Sequence, residues 1–371
     1  MKKAIWWIVG IVVVIVIIII ISMGGSNSTG PIKIGFIGPL TGDVTSLGVA
    51  SKAAVEVATD EINSSGGING RLIQVIYEDG QCSPGPATSA AQKLISIDGV
   101  TAILGGLCSS ETSAFVPSAM KNKIVTISYC SSAPALSTSG QYFFRTYPSD
   151  AYQGIFAADY AYNTLGARKI GIIYHISDWG SGIEAVFAKE FTKLGGTITD
   201  VEGTQQTSTD YRTEITKIQN VGFDHIYIPV YTNGGEALVK QLVNAGISTN
   251  KIIGAEDLND LKFLADTKGI ADGIIITASK ISPSDSFKQK MIAKGGGSEV
   301  PICAPEAYDA MSVLAQGLKQ VGTDPDLLQK AIRAIDWKGE SGEISFDPNG
   351  DLQKASYVVK KITNGSLVEI Q

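Results

Sequence analysis

From Ile32 onward, short apolar runs alternate with longer segments whose apolar residues recur every three or four positions, and this alternation most limits the possible folds. Strands of a parallel sheet are buried on both faces, so they are short and continuously apolar. The longer segments have the spacing of helices that pack one face against a sheet. The order predicts βαβ units and therefore an α/β fold with parallel sheets.

The pattern predicts eight strands and nine helices. The strands are expected at residues 32–37, 73–77, 100–104, 124–128, 170–174, 225–229, 252–254 and 273–277. The helices are expected at residues 50–63, 86–97, 111–120, 152–165, 184–194, 211–219, 237–245, 308–319 and 327–335. Because 371 residues exceed one ordinary core, we expect two Rossmann-like lobes.

Three turn-rich breaks interrupt the alternation, at residues 146–150, 281–284 and 347–351. Proline, glycine, serine and aspartate favour turns there. Three breaks predict three crossings between the lobes, which is the design of a hinge. We expect an N-terminal lobe of residues 31–148 plus 280–350 and a C-terminal lobe of residues 149–279 plus 351–371.

The first 30 residues differ from the rest, because Met1-Lys2-Lys3 precede an unbroken apolar run from Ala4 to Ile21. As a helix this run would span about 27 Å of a hydrocarbon core of about 30 Å. The two lysines lie in the short segment before the apolar run, and positively charged residues place that segment in the cytoplasm. We expect residues 1–30 to be a transmembrane signal anchor and linker on the extracytoplasmic face of the cell membrane. The alternative is a cleaved signal peptide, since Ser22 and Gly24 suit a peptidase, and the protein would then be secreted or periplasmic.

Composition argues against nucleic-acid binding and against catalysis. The net charge is −6 and the basic residues are scattered, whereas nucleic-acid surfaces cluster them. His175 and His225 are the only histidines, and no Cys/His metal spacing, Gly-x-Ser-x-Gly elbow or nucleotide-binding glycine fingerprint occurs. We therefore expect no enzyme activity, no cofactor and no metal site.

The segment from Gly105 to Glu111 predicts a seat for an anion. An apolar strand ends just before it, and a helix with Ser109 and Ser110 at its start follows. Free amides and the positive end of the helix dipole favour a carboxylate or a phosphate at such a start. Since no base for a nucleophile lies nearby in the sequence, the seat is expected to hold a ligand rather than to cleave one.

Four cysteines in an exported chain make disulfides permissible. A bridge between Cys82 and Cys108 would close about 26 residues and contribute roughly 3 kcal/mol in the chain-entropy model. Four unpaired thiols are the alternative. The spacing of Cys130 and Cys303 indicates no partner, so we expect both to be free.

Several motifs follow one another in a characteristic order. They are Ile32-Lys33-Ile34-Gly35, Gly38-Pro39-Leu40-Thr41-Gly42, Gly66-Gly67-Ile68-Asn69-Gly70, Cys82 with Gly105-Gly106-Leu107-Cys108-Ser109-Ser110, Arg145-Thr146-Tyr147-Pro148-Ser149-Asp150, Gly254-Ala255-Glu256, and Gly342-Glu343-Ile344-Ser345-Phe346-Asp347 with Gly350-Asp351. With these motifs, the chain from about Ile32 to its end resembles the periplasmic leucine/isoleucine/valine-binding proteins of branched-chain amino-acid ABC importers. The resemblance implies the type I periplasmic binding protein fold, two lobes on a three-strand hinge that close over an amino acid.

The resemblance also implies site residues in the N-terminal lobe. Cys82 and Cys108 match the family's disulfide, and Ser109 matches the serine that binds the α-carboxylate of the ligand. The loop after the fourth strand would contribute backbone groups at Cys130 and the hydroxyl of Ser132. For Ser109 and Ser132 the alternative is simple helix capping.

Three further residues are implied in the C-terminal lobe. Tyr231 and Glu256 resemble residues that close on the ligand, with Glu256 pairing with its α-ammonium, and Trp179 matches an aromatic position at the cleft. Glu256 also ends an apolar strand, where α/β sheets place ligand residues. The alternatives are a surface carboxylate at Glu256 and ordinary packing for Trp179 and Tyr231.

The chain departs from the family at the pocket for the ligand's side chain. Leu47 stands where the family often has an aromatic residue, and Tyr129 and Cys130 replace smaller residues. These changes leave the contacts to a zwitterion in place and bear on the side-chain preference.

We expect a monomeric receptor that binds a branched-chain amino acid and delivers it to the permease and ATPase subunits of an ABC transporter, with a membrane contact through the N-terminal helix. A receptor for urea, a short amide or another small solute is the first alternative. The second is an extracellular sensor, which would need a separate signalling partner because only Met1 to Lys3 precede the expected anchor.

Overall fold

Two β-sheets organise the chain in a computed structural model, which describes residues 30–295 and 300–371. The first sheet is parallel, with strand order β2-β1-β3-β4-β5. Its strands are β1 (Ile32–Gly38), β2 (Ile73–Asp79), β3 (Ala102–Leu104), β4 (Val125–Ser128) and β5 (Phe143–Arg145). Ile34 and Phe36 of β1 are fully buried, as an inner strand covered on both faces requires.

The second sheet has the strand order β14-β13-β10-β9-β8-β6-β7. Its strands are β6 (Lys169–His175), β7 (Thr197–Thr204), β8 (His225–Ile228), β9 (Ile252–Gly254), β10 (Ile275–Ser279), β13 (Tyr357–Thr363) and β14 (Ser366–Glu369). The strands from β6 to β10 pair in parallel, whereas β13 and β14 add an antiparallel edge. A separate antiparallel pair joins β11 (Asp336–Lys338) to β12 (Glu343–Ser345).

Eleven α-helices in the described residues connect these strands. They are α1 (Thr45–Ser64), α2 (Pro84–Lys93), α3 (Ser109–Lys121), α4 (Asp150–Asp159), α5 (Asp178–Lys193), α6 (Arg212–Val221), α7 (Thr232–Asn244), α8 (Leu261–Asp266), α9 (Asp285–Ala293), α10 (Ala304–Val321) and α11 (Pro325–Arg333). Short 3₁₀ or π turns lie at Leu94–Asp98, Pro134–Thr138, Tyr160–Thr164, Thr249–Lys251 and Glu256–Leu258. The predicted α/β fold is therefore observed.

The chain passes three times between the elements of the two sheets. The connections run from β5 to α4, from β10 to α9, and from β12 to β13. Helix α10 packs against α1 beside the first sheet, whereas β13 pairs with β10 in the second. Because residues 32–371 form one compact unit, the predicted lobe boundaries stay a prediction.

The fold prediction needs one correction, which concerns the N-terminal transmembrane anchor. In the ranges 30–295 and 300–371, no helix combines the length and the apolar character needed to cross a membrane. The apolar run of residues 4–21 lies outside the described residues. The α/β part of the fold prediction is observed in the described residues.

Two disulfides join cysteines of the described chain. Cys82 is bonded to Cys108, as predicted. Cys130 is bonded to Cys303, so the prediction that both are free was wrong. No local sequence pattern indicates this second bridge, because its cysteines are 173 residues apart and meet only where α10 begins beside the loop after β4.

Candidate functional site

The carboxyl ends of strands from both sheets enclose a small cavity, which we call the strand-end cavity. All six predicted ligand residues line it, namely Ser109, Cys130, Ser132, Trp179, Tyr231 and Glu256. Five further residues complete the lining: Leu107, Cys108, Tyr147, Asp257 and Ile302. Its volume of about 20 Å³ is room for one water molecule.

Strand topology explains why residues so distant in sequence meet. Ser109 follows β3, and Cys130 and Ser132 follow β4, next to β3 in the first sheet. In the second sheet, Tyr231 follows β8 and Glu256 follows β9, its neighbour. Ligands of open α/β sheets bind outside the carboxyl ends of the strands, so both sheets contribute their binding edge.

The predicted anion seat at the start of α3 is partly filled by the chain itself. The Glu111 carboxylate accepts hydrogen bonds from the amides of Leu107 (3.1 Å), Cys108 (3.0 Å) and Cys82 (2.8 Å). Burial raises the pKa of Glu111 to about 7, although these amides oppose the shift. The amides of Leu107 and Cys108 therefore serve Glu111, and the hydroxyl of Ser109 is the group of this seat that lines the cavity.

Ser109 is held in place by the loop after β4. Its Oγ accepts a hydrogen bond from the amide of Ala133 at 3.1 Å, and the residue is 1% exposed. A hydroxyl oxygen that accepts from an amide keeps its proton for an acceptor elsewhere. Ser109 is thus arranged to donate toward the cavity.

A buried arginine fixes the same loop from behind. The Arg145 guanidinium donates to the carbonyl of Ala133 at 3.0 Å and to Asp351 at 2.6 Å.

A buried tyrosine in this loop contacts the end of β1. Tyr129 Oη donates to the carbonyl of Ile37 at 3.1 Å. A Cβ on Gly38 would lie 2.1 Å from that tyrosine oxygen, so the end of β1 needs glycine there.

Ser132 is engaged with an acid that sequence reasoning did not name as a ligand residue. Its hydroxyl donates to Asp150 Oδ2 at 2.7 Å, and the amide of Asp150 donates to the carbonyl of Ser132 at 2.8 Å. The other carboxylate oxygen, Asp150 Oδ1, is buried and has no hydrogen-bond partner in the described residues. The hydroxyl proton of Ser132 is therefore engaged by Asp150, although Ser132 itself lines the cavity.

Two stacked aromatic rings form the opposite wall. The rings of Trp179 and Tyr231 are 4.8 Å apart at their centroids, and both residues are 3% exposed. Trp179 Nε1 and Tyr231 Oη are buried without a partner among the described residues. Such polar atoms are costly to bury unpaired, so they are candidates for hydrogen bonds to a ligand.

His175 supports this wall and takes no part in chemistry. Its Nδ1 accepts the amide proton of Tyr231 at 3.1 Å, so Nε2 carries the ring proton and faces Tyr211 Oη at 3.1 Å. Burial lowers the pKa of His175 to about 4, which keeps the ring neutral.

Two buried carboxyl groups, Glu256 and Asp257, line one end of the cavity, and a third, Asp150, lies behind the lining close enough to interact with both. Glu256 and Asp257 lie in the turn after β9, and both interact electrostatically with Asp150. Burial raises the pKa of Glu256 and Asp257 well above the usual range, and raises that of Asp150 to about 7. Glu256 Oε2 has no hydrogen-bond partner within the described residues. This end of the cavity favours a cation.

Sequence reasoning missed five residues of the site, and two of them had a signal. Asp257 follows the predicted Glu256, and Asp150 closes the Arg145–Asp150 motif at the start of a helix. No sequence signal distinguishes the other three, because apolar and aromatic residues also fill the hydrophobic core. They are Leu107, Tyr147 and Ile302. Leu47, at a pocket position in the family, is 1% exposed and is not part of the cavity lining.

The arrangement can hold a small molecule but offers no catalytic group. A hydroxyl donor, an apolar and aromatic wall, and a cluster of acids meet in one space. No group of three or more His, Cys, Asp or Glu side chains in residues 30–295 and 300–371 is arranged to hold a metal ion.

Comparison with known proteins confirms the predicted resemblance. A family model described as periplasmic binding protein matches residues 31–366. The leucine-, isoleucine-, valine-, threonine-, and alanine-binding protein of Pseudomonas aeruginosa is 27% identical over 334 residues, 88% of this chain and 89% of that protein.

Solved structures share the fold. The branched-chain amino acid transporter substrate binding protein LivJ from Streptococcus pneumoniae, in complex with isoleucine, has a TM-score of 0.81 and 27% identity over 91% of this chain and 99% of its own. A solute binding protein of an ABC transporter from R. palustris, in complex with benzoate, has a TM-score of 0.82 and 22% identity over 92% and 96%. Because the family match extends over most of its length, the chain belongs to the periplasmic binding protein family, whose members bind solutes and are not enzymes.

Proposed function

We propose that this protein is an extracytoplasmic receptor that captures a branched-chain amino acid between two lobes and delivers it to an ABC permease. The lobes are residues 31–148 plus 280–350 and residues 149–279 plus 351–371. The ligand occupies the strand-end cavity, which must widen to admit it because its volume is only about 20 Å³. Opening and closing by rotation at the three connecting segments provides that change.

One observation carries the proposal: Glu256, whose Oε2 has no partner among the described residues, lines the same cavity as Ser109. An α-ammonium supplies the donor that Glu256 Oε2 needs, and its charge also favours the ionised form of the neighbouring Asp150. An α-carboxylate accepts from Ser109, at the start of α3. Charge-assisted hydrogen bonds contribute about 1.5 to 3 kcal/mol each, so a few of them support micromolar binding, about −8 kcal/mol.

The choice of a branched aliphatic side chain rests on the apolar lining and on the relatives. Leu107 and Ile302 are 4% and 2% exposed and contribute aliphatic surface to the cavity. The relative from P. aeruginosa is named for binding leucine, isoleucine, valine, threonine and alanine, and the S. pneumoniae structure contains isoleucine. Leucine, isoleucine and valine are therefore the first ligands to test.

A receptor for urea or a short amide is the second candidate. The observation that favours it is the raised pKa of Glu256 and Asp257, because neutral carboxyl groups pair well with amides. An amide ligand has no ammonium and needs no ionised acid.

Calorimetry with the purified protein separates the two candidates. We expect saturable binding of leucine, isoleucine or valine, and we expect Glu256→Gln to weaken it about tenfold to about a hundredfold, because a charge-assisted bond is lost. Glu214→Gln, a glutamate in the first turn of α6 outside the cavity, is the control and should bind as the wild type does. Binding of urea or acetamide that Glu256→Gln leaves unchanged would instead favour the amide receptor.

A further inference from the structure

The second disulfide lies at the strand-end cavity rather than in a remote part of the fold. Cys130 lines the cavity, and so does Ile302, the neighbour of Cys303. The bridge thus joins the loop after β4 to Cys303, the residue before α10. The cavity is lined by Cys130 at one end of the bridge and by Ile302, next to Cys303, at the other end. A bond at this place sets the distance between the two walls.

The backbone at Cys303 is held in a conformation that few residues adopt. Its φ is +69° and its ψ is −18°, in the left-handed region, and α10 begins at the next residue. A residue with a Cβ stays in that region only when its surroundings hold it there. Cleavage of the bridge removes one such restraint beside Ile302, so the wall at Ile302 can relax.

The two bridges differ in how easily a thiol can reach them. Cys82, Cys108 and Cys303 are at most 3% exposed, whereas Cys130 is only partly buried. Thiol–disulfide exchange requires that a thiolate approach one sulfur directly, so access decides which bridge reacts first. The accessible residue of the second bridge is the one that lines the cavity.

We propose that the Cys130–Cys303 disulfide is a redox-cleavable lock on the ligand cavity: a small thiol attacks the partly exposed Cys130, and the reduced protein binds its amino acid more weakly. The thiolate bonds to Sγ of Cys130 as the bond to Cys303 breaks, and Cys303 leaves as a thiolate that takes up a proton. A second thiolate attacks the mixed disulfide and releases Cys130 as a thiol. Two thiols are thereby oxidised to one disulfide, and the protein bridge is reduced by two electrons.

Ligand binding and reduction of the bridge are thermodynamically linked, and this linkage gives the size of the expected effect. If the intact bridge strengthens ligand binding by a given factor, the bound ligand must disfavour reduction of the bridge by the same factor. We expect a factor of about ten, in the ordinary range for coupled sites, which corresponds to a shift of about 30 mV in the reduction potential of the bridge. This expectation rests on the proposed function, because it uses leucine as the ligand.

The test equilibrates the full chain in buffers of reduced and oxidised dithiothreitol, with and without saturating leucine. After acid quenching, free thiols are alkylated in denaturant and each bridge is quantified by peptide mass spectrometry. We expect Cys130–Cys303 to be reduced before Cys82–Cys108, and leucine to shift its reduction by about tenfold. Samples quenched during the approach to equilibrium give the rates, and equal rates for the two bridges, or earlier reduction of Cys82–Cys108, would overturn the proposed route of attack.

A second arm measures leucine affinity for a Cys130→Ser, Cys303→Ser double variant and for the wild type before reduction, after reduction and after reoxidation. We expect the Kd to rise about tenfold in the variant and in the reduced protein, and to recover on reoxidation, which excludes simple unfolding. Unchanged Kd values would overturn the lock. The order of reduction is read without a ligand, so failure of leucine to bind would count against the proposed ligand and not against this order.

Discussion

At the scale of single residues, three neighbouring acids repel one another when they are ionised. They are Asp150, Glu256 and Asp257. All three are buried, and burial is the first cause of the raised pKa of each. Repulsion from Asp150 further raises the pKa of Glu256 and Asp257, while Ser132 and Arg145 lower that of Asp150. A bound ammonium relieves this repulsion, because it favours the ionised form of each acid.

We predict that amino-acid binding releases protons and becomes tighter as the pH rises from about 6 to about 8. In the unliganded protein Asp150 has a pKa of about 7, so it is largely protonated at the lower pH. The ammonium lowers that pKa, so the bound state holds fewer protons and a higher pH favours binding. Calorimetry in two buffers of different ionisation enthalpy counts the released protons. Asp150→Asn should remove part of this release, and binding without any proton exchange would contradict the prediction.

The family resemblance named the six predicted ligand residues, because each stands in a segment that matches the family, and all six line the cavity. Ser109 and Glu256 also follow apolar runs, where strand ends are expected. Asp150 was missed because it stands in the first turn of a helix, where acids are common for capping alone. Its interactions are with Ser132, 18 residues earlier, and with Glu256 in the turn after β9, and no local sequence pattern indicates contacts between such distant residues.

At the scale of elements, the start of α3 is stabilised by its own third residue. Glu111 accepts three amide hydrogen bonds in a fully buried position, so it satisfies donors that the strand-to-helix turn leaves free. A Cβ at Gly106 would lie 2.9 Å from Glu111 Oε2. The glycine before the turn therefore provides the space that the carboxylate needs.

We predict that Glu111→Gln lowers the free energy of unfolding by about 2 kcal/mol, because the amide –NH₂ would face backbone donors that now lack an acceptor. Thermal or denaturant unfolding at constant pH measures the loss. The matched control is Glu214→Gln, which changes a less buried first-turn glutamate of α6 and should shift stability by less than about 0.5 kcal/mol. Equal effects of both substitutions would rule out a special role for Glu111.

The strands that the sequence predicted are those with a short, mostly apolar run, such as β3 and β9. The strands that were not predicted from the sequence lack such an apolar run, for reasons that the structure shows. Strand β7 (Thr197–Thr204) lies at an edge and carries several polar residues, and β5 (Phe143–Arg145) is only three residues long. Strands β13 and β14 form an antiparallel edge, where one face can be polar and the apolar run is broken.

At the scale of the whole molecule, hydrogen bonds join the two proposed lobes around the strand-end cavity. Ser46 of α1 donates to Asp260 Oδ2 at 2.8 Å, and the amide of Asp178 donates to Ser110 Oγ at 3.1 Å. None of these four residues lines the cavity. Such bonds exist only while the lobes are together, so they favour the closed form without touching the ligand.

We predict that Ser46→Ala weakens amino-acid binding by about five- to tenfold while leaving all ligand contacts in place. A hydrogen bond to a charged group is worth about 1 to 1.5 kcal/mol net at a partly exposed site, and its loss lowers the population of the closed form. Because the ligand binds that form, the apparent Kd rises in proportion. Calorimetry gives the Kd, and X-ray scattering of the unliganded protein should give a larger radius of gyration.

Ser64→Ala is the matched control for this prediction. Ser64 lies on the same helix, and its hydroxyl donates to the carbonyl of Glu61 at 3.1 Å on the exposed surface, away from the cleft. The control should keep the affinity and the radius of the wild type, because it removes a hydroxyl without removing a contact between lobes. If both serine variants bind alike, the bond between Ser46 and Asp260 has no part in closure, and the energy for closing must come from the ligand itself.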